Sequence, residues 1–131
     1  MSEPFSILIR ADAGPRHGFG HVMRCLALAQ AAQDAGCPVA WATAECPSAP
    51  ATRIQTQIGQ PTQSISASPG SAADAKETLV LARQLAVKAI ILDGYHFDQT
   101  YQDIIKKFDG KLLYIDDNGI LPNYPSDLVL N

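Results

Sequence analysis

No basic run or stripe marks this sequence: ten Lys and Arg stand against thirteen Asp and Glu, for a net charge of −3. That balance offers no electrostatic footprint for nucleic acid or for an anionic membrane, so neither is expected as a partner. Cys25, Cys37 and Cys46 are odd in number and show neither CxxC nor His-paired spacing, which speaks against a disulfide framework and against structural zinc. They read as reduced thiols, with Cys25 and Cys37 packed as small hydrophobes. Met1-Ser2-Glu3-Pro4 lacks a basic n-region, and the apolar run behind it is too short for a signal h-region or a membrane span. A cytoplasmic protein with no membrane span is the expectation. There is no Walker pattern to support nucleoside triphosphate hydrolysis, no internal repeat and no low-complexity linker.

What is present suits one α/β domain of 131 residues, 47% of them hydrophobic, a length that buries roughly two-thirds of the unfolded surface. Phe5-Ser6-Ile7-Leu8-Ile9 reads as a buried parallel strand ending near Arg10. A helix from His21 to Ala35 follows, stopped by Gly36 and Pro38. Val22, Cys25, Leu26, Ala29 and Ala32 share one helix face, with small residues that allow close approach to a sheet. Val39–Thr43 is a second strand. A short helix over Ala51–Ile58 and a short strand over Thr62–Ile65 come next. A helix capped by Ser71 or Asp74 runs to Val87, with Ala75, Leu79, Ala82, Leu85 and Ala86 on one side. Strand Ala89–Asp93, helix Asp98–Phe108, strand Lys111–Asp116 and a final strand from Asp127 complete the pattern. The alternation predicts a Rossmann-like parallel sheet with helices on both faces and strand order 3-2-1-4-5.

Ligands bind such sheets outside the carboxyl ends of the strands, at the point where the winding reverses. The loops Arg10–Gly20, Asp93–Asp98 and Asp116–Asn123 meet there. They hold all three histidines, His17, His21 and His96, with Arg10, Asp12, Asp93, Tyr95, Asp116 and Asp117. Within Gly18-Phe19-Gly20-His21-Val22-Met23-Arg24 a two-glycine loop opens a helix. The first backbone N–H groups of a helix lack partners and carry partial positive charge, so a phosphate or oxyanion fits there. A His at that place brings the side chain whose charge changes near neutrality.

The dinucleotide fingerprint is not completed, because Met23 stands where its third glycine should be and the preceding loop is long. Glu45 is all that could serve as the ribose acid of such a site. Asp116-Asp117 with Asp93 can chelate a hard cation in principle. Acids at strand ends more often cap turns, and adjacent Asp side chains diverge. No metal and no cofactor are therefore expected. Tyr95 and His96 read equally as a packed aromatic turn.

Five ordered blocks carry a family resemblance: Arg10-Ala11-Asp12; Gly18 through Leu26; Asp93-Gly94-Tyr95-His96-Phe97-Asp98; Ile115-Asp116-Asp117; and Asp127-Leu128-Val129-Leu130-Asn131. Together they resemble the N-terminal half of the UDP-sugar hydrolases of pseudaminic-acid biosynthesis. Those enzymes are related to spore-coat polysaccharide proteins and, more distantly, to glycosyltransferases of GT-B fold. The resemblance spans the chain apart from Cys46–Ser71. It implies hydrolysis of a UDP-linked diacetamido-trideoxy-altrose: water attacks the anomeric carbon, UDP leaves and no metal is required. His21 matches the family His that orients or deprotonates the water, and Tyr95 matches the family Tyr near the sugar. Arg10, Asp12, Gly18, Phe19, Gly20, Arg24, Asp93, His96 and Asp117 are the accompanying candidates for substrate binding. An imidazole at a helix N-terminus is favoured in its neutral, proton-accepting form.

The resemblance also implies a second, nucleotide-binding domain beyond Asn131, so the chain is either an excised domain or a shortened relative. Little or no hydrolase activity is expected from it alone. A glycosyltransferase domain of the same architecture, with His21 activating an acceptor hydroxyl, stands as an alternative. So does a non-enzymatic module that joins a partner chain or dimerises through its exposed last strand.

Overall fold

The computed structural model describes residues 4–115 and 126–130, a six-stranded parallel sheet with four helices. In chain order the elements are β1 (Ile7–Ala11), α1 (Gly20–Asp34), β2 (Val39–Thr43), α2 (Ser48–Ile58), β3 (Gln63–Ser64), α3 (Ala72–Gln84), β4 (Ala89–Asp93), α4 (Gln99–Ile105), β5 (Lys111–Ile115) and β6 (Leu128–Leu130). Strand order is β3-β2-β1-β4-β5-β6, with every pairing parallel. This is the doubly wound, Rossmann-like arrangement anticipated from the alternation of elements, extended by β6 at one edge. Winding reverses between β1 and β4, the two central strands.

Successive residues of a strand point to opposite faces, and two cores form accordingly. Ile9, Ala11, Trp41 and Ile91 pack with Val22, Cys25 and Leu26 of α1 and Ile54 and Ile58 of α2. Leu8, Ala42, Ile90, Leu92, Leu112 and Tyr114 pack with Ala75 and Leu79 of α3 and Tyr101 and Ile105 of α4. Trp41 is fully buried, and its Nε1–H donates to the Ala11 carbonyl at 3.2 Å. Ser71 caps α3 by accepting from the Asp74 N–H, and Asp98 caps α4 by accepting from the Tyr101 N–H.

Several boundaries differ from the sequence reading for identifiable reasons. β1 runs two residues later than Phe5–Ile9 and continues through Arg10, whose charge is met within the sheet's own core instead of ending the strand. α2 begins at Ser48, three residues early; Pro50 then lies in the first helical turn, where its missing N–H costs nothing. α3 ends at Gln84, short of Val87: Ala86 takes a positive φ of 54°, and both Leu85 and Ala86 are exposed instead of lining the core face. α4 is likewise shorter than Asp98–Phe108, ending at Ile105. The expected Asp116, Asp117 and the loop to Asn123 lie outside the described residues. Among the described residues no helix is long and apolar enough to cross a membrane.

Candidate functional site

Asp93 closes β4 at the level of Ala11 in β1 and is wholly buried. A buried carboxylate requires donors, and α1 supplies them from one face. His21 in its first turn places Nδ1 2.8 Å from Asp93 Oδ1. Arg24, one turn on, donates from Nε to Oδ2 at 2.7 Å and from Nη2 to Oδ1 at 2.5 Å. Cys25 Sγ lies 3.5 Å from Oδ2. Burial alone would raise the Asp93 carboxyl, but the hydrogen bonds from His21 and Arg24 outweigh it and hold the carboxyl below its usual range. Burial, then the neighbouring Asp93 charge, pushes the Cys25 thiol well up, so it is a protonated donor and not a nucleophile. Because a carboxylate only accepts, Nδ1 of His21 carries the hydrogen, and in the neutral imidazole Nε2 is then the atom with the lone pair.

The imidazole is buried but for 7% of its surface, and Tyr95 stands edge-on to it with ring centroids 4.8 Å apart. Tyr95 itself is 53% exposed. His17, Gly20, His21, Arg24 and Tyr95 line a depression of about 250 Å³. An adjoining one of about 300 Å³ is lined by Arg16, His17, His21, Tyr95 and His96. A larger hollow of about 480 Å³ lies at the sheet edge between β3 and α3, apart from β1 and β4, walled by Gln63, Lys76, Glu77 and Val80 among others. It brings together no His or Cys, and its one carboxylate, Glu77, is engaged by Ser66. The smaller depressions are the ones that hold the oriented imidazole.

A second polar cluster sits beside the first. Arg10 has no exposed surface: its guanidinium donates to Asp74 Oδ2 at 2.7 Å and Oδ1 at 3.2 Å, and to Asp12 Oδ1 at 2.7 Å. Its carbon centre lies 5.1 Å from the Phe97 ring centroid. Asp74 also accepts from Tyr101, Thr78 and the Gly70 N–H. Asp12 Oδ1 takes the backbone N–H groups of Ala44 and Glu45 as well, and its Oδ2 faces His96 Nε2 at 2.9 Å. Burial raises the Asp12 carboxyl, while the His96 bond and the Arg10 charge pull it well below the ordinary carboxylate range. His17 stacks against His96 at 4.4 Å, and burial next to that ring lowers its affinity for a proton.

Of the expected substrate contacts, His21, Phe19, Gly20, Arg24, Tyr95 and His96 reach the surface at the strand ends. Gly18 holds a positive φ of 71°, with open space where a side chain would be. Arg10, Asp12 and Asp93 do not reach it. They are enclosed, and a direct contact of Arg10 with substrate is replaced by its grip on Asp12 and Asp74. Asp117 lies outside the described residues. Glu45, considered only as a ribose acid, pairs with Arg16 and lies 3.2 Å from His17 Nε2. The sequence reading missed Asp74 and Thr78, two polar residues on the buried face of α3, and the tie from Cys25 to Asp93. Asp74 was visible only as a helix cap.

These features define a class: a Rossmann-like α/β domain with a histidine–carboxylate pair at its switch point. No protein-family model and no curated protein sequence matches the chain. Among solved structures it is similar to Acinetobacter baumannii MurG, with a TM-score of 0.66, 16% identity and coverage of 97% of this chain and 45% of that one. A nickel-free carbon monoxide dehydrogenase from Thermococcus sp. AM4 is a more distant likeness, with a TM-score of 0.54, 13% identity and coverage of 99% of this chain and 19% of that one. The chain thus spans less than half the length of either structure. The likeness to MurG establishes the fold as that of a GT-B-like half-domain.

Proposed function

We propose that this chain is the sugar-side domain of a nucleotide-sugar hydrolase, in which His21 activates water for attack on the anomeric carbon of a UDP-linked diacetamido-trideoxy sugar. The observation that carries the reading is the His21 Nδ1 to Asp93 Oδ1 contact of 2.8 Å at the carboxyl end of β4. With Nδ1–H committed to Asp93, Nε2 accepts the proton as the water oxygen bonds to carbon. The bond from carbon to the diphosphate oxygen breaks, and its electron pair leaves with UDP. Asp93 stabilises the imidazolium that forms. Arg24 keeps the carboxylate in place, and Tyr95 flanks the sugar. The partnerless N–H groups at the start of α1, where Phe19 provides no side-chain cap, face the developing negative charge. A second, nucleotide-binding domain supplies the other wall of the cleft.

The fold likeness to MurG favours a second reading, transfer by a GT-B-type glycosyltransferase domain in which an acceptor hydroxyl replaces water at the same imidazole. Measuring UDP release from the altrose nucleotide, with and without acceptor sugars, separates the two. The measurement uses the chain joined to its nucleotide-binding domain. Release independent of acceptor supports hydrolysis, acceptor-dependent release supports transfer, and no release under either condition overturns both. The 131-residue chain alone is expected to release little or no UDP.

A further inference from the structure

We propose that Asp12, His17 and His96 form a binding site for one divalent transition-metal ion, of the class that Zn²⁺ represents. Asp12 follows β1, His17 lies in the loop to α1 and His96 in the loop after β4, and one ligand atom from each falls within 4.8 Å of the others. Bonds of about 2.0–2.1 Å in a tetrahedral site set neighbouring ligand atoms roughly 3.3 Å apart. Asp12 Oδ2 and His96 Nε2, at 2.9 Å, already stand near that separation. The His17 ligand atom lies within 4.8 Å of both, so completing the set requires the His17 side chain to turn toward them.

An independent observation points to a ligand. The His17 side chain is only 9% exposed, and its buried Nε2 has no hydrogen-bond partner among the described residues. Glu45 Oε2 faces it from 3.2 Å as a charge neighbour, outside hydrogen-bond geometry. A buried polar atom left in that state is unfavourable, and a coordinated cation removes the deficit. The oxygen on the other side is prepared as well. Arg10 and the N–H groups of Ala44 and Glu45 occupy Asp12 Oδ1, leaving Oδ2 as the coordinating atom. Such outer contacts fix a metal ligand's direction. The His96 ring is steadied against Phe97, with centroids 3.9 Å apart.

Two imidazoles and one carboxylate suit zinc, iron, cobalt or nickel better than the hard cations magnesium and calcium. Three protein ligands leave a coordination position open toward the depression that His17 and His96 share with His21 and Tyr95. Coordination through Nε2 requires the neutral His96 ring to carry its proton on Nδ1, the other tautomer from the one that donates to Asp12. Cysteine-based spacing could not reveal this set, because it holds no cysteine and His96 comes from a different loop than Asp12 and His17.

The test is titration of chelator-treated protein with Zn²⁺ by calorimetry and with Co²⁺ by visible absorption. One equivalent should bind, and Co²⁺ should give the intense visible band of a tetrahedral site. H17A and H96A should each weaken binding roughly a hundredfold or more, given that loss of an outer contact alone costs about 10–100-fold. H17C, which returns a ligand atom, should recover most of the affinity. Circular dichroism confirms that each variant is folded. Absence of saturable binding by the parent, or unchanged affinity in the H17A/H96A double variant, overturns the site.

Discussion

His21 Nδ1 lies 2.8 Å from Asp93 Oδ1, although the two residues are 72 positions apart in the chain. The contact joins the first turn of α1 to the last residue of β4. It turns a solvent-edge imidazole into one with a fixed tautomer and a fixed direction. H21A, in the chain joined to the proposed nucleotide-binding domain, should lower kcat by about 10²–10⁴, the range of a positioned general base. D93N should lower kcat by a similar order with little change in KM, because it removes the group that orients the base and not a contact to substrate. Steady-state kinetics on both variants checks this. A D93N effect confined to KM would contradict the assignment.

Asp74 is the anchor of the buried cluster, and its removal leaves two of the Arg10 guanidinium nitrogens without their acceptor, and Asp12 as the remaining carboxylate partner, where water cannot reach. Breaking a buried pair by deleting one partner costs about 3–5 kcal/mol. Urea unfolding should place D74A in that range, with D74N less affected because it keeps the shape and one acceptor.

Acid should weaken the fold through Asp93. Its carboxyl titrates lower in the folded protein than in the unfolded chain, so its contribution is fully present above the unfolded value, near 3.9. That contribution is lost as pH falls from there through the folded value. Urea midpoints should therefore drop below about pH 4, and D93N should be less stable at neutral pH with a shallower acid decline.

Gly70 approaches the backbone of the loop after β4 so closely that a Cβ would stand 2.6 Å from the His96 carbonyl oxygen, at a φ of 80°. G70A should cost stability and move His96, because neither atom can yield without shifting backbone. At Gly94 the same Cβ would meet the His96 ring at 2.5 Å, the end of a side chain that can rotate. G94A should thus be milder in stability while still displacing His96. Thermal melts and the His96 resonances in NMR spectra distinguish the two.

Positive φ at Ala86 offers a gain. A left-handed conformation costs a non-glycine residue roughly 1–2 kcal/mol. A86G offsets part of this with its own entropy cost, so a melting temperature a few degrees higher is the expected result.

The strands and the order of the sheet were legible because their signals are local. Val39–Thr43 and Ala89–Asp93 are short apolar runs bounded by turn residues, and the structure begins and ends them at the same positions. His21, Tyr95 and Asp93 were legible as members of loops that the topology must bring together. Hidden from sequence was everything decided by distant partners. Arg10 looked like the end of β1 because one of the two carboxylates that meet its charge, Asp74, stands 64 positions away. Glu45 and His17 meet only once β1 and β2 are paired.

Ala11 aligns with Asp93 across β1 and β4, and that alignment has a consequence for assembly of the chain. A slip of one residue between these strands would send the Asp93 carboxylate to the opposite face of the sheet. It would leave His21, Arg24 and Cys25 reaching toward an aliphatic side chain. The machinery that would handle substrate therefore also proofreads strand alignment, so a misthreaded chain loses its reactive centre and its internal checkpoint together.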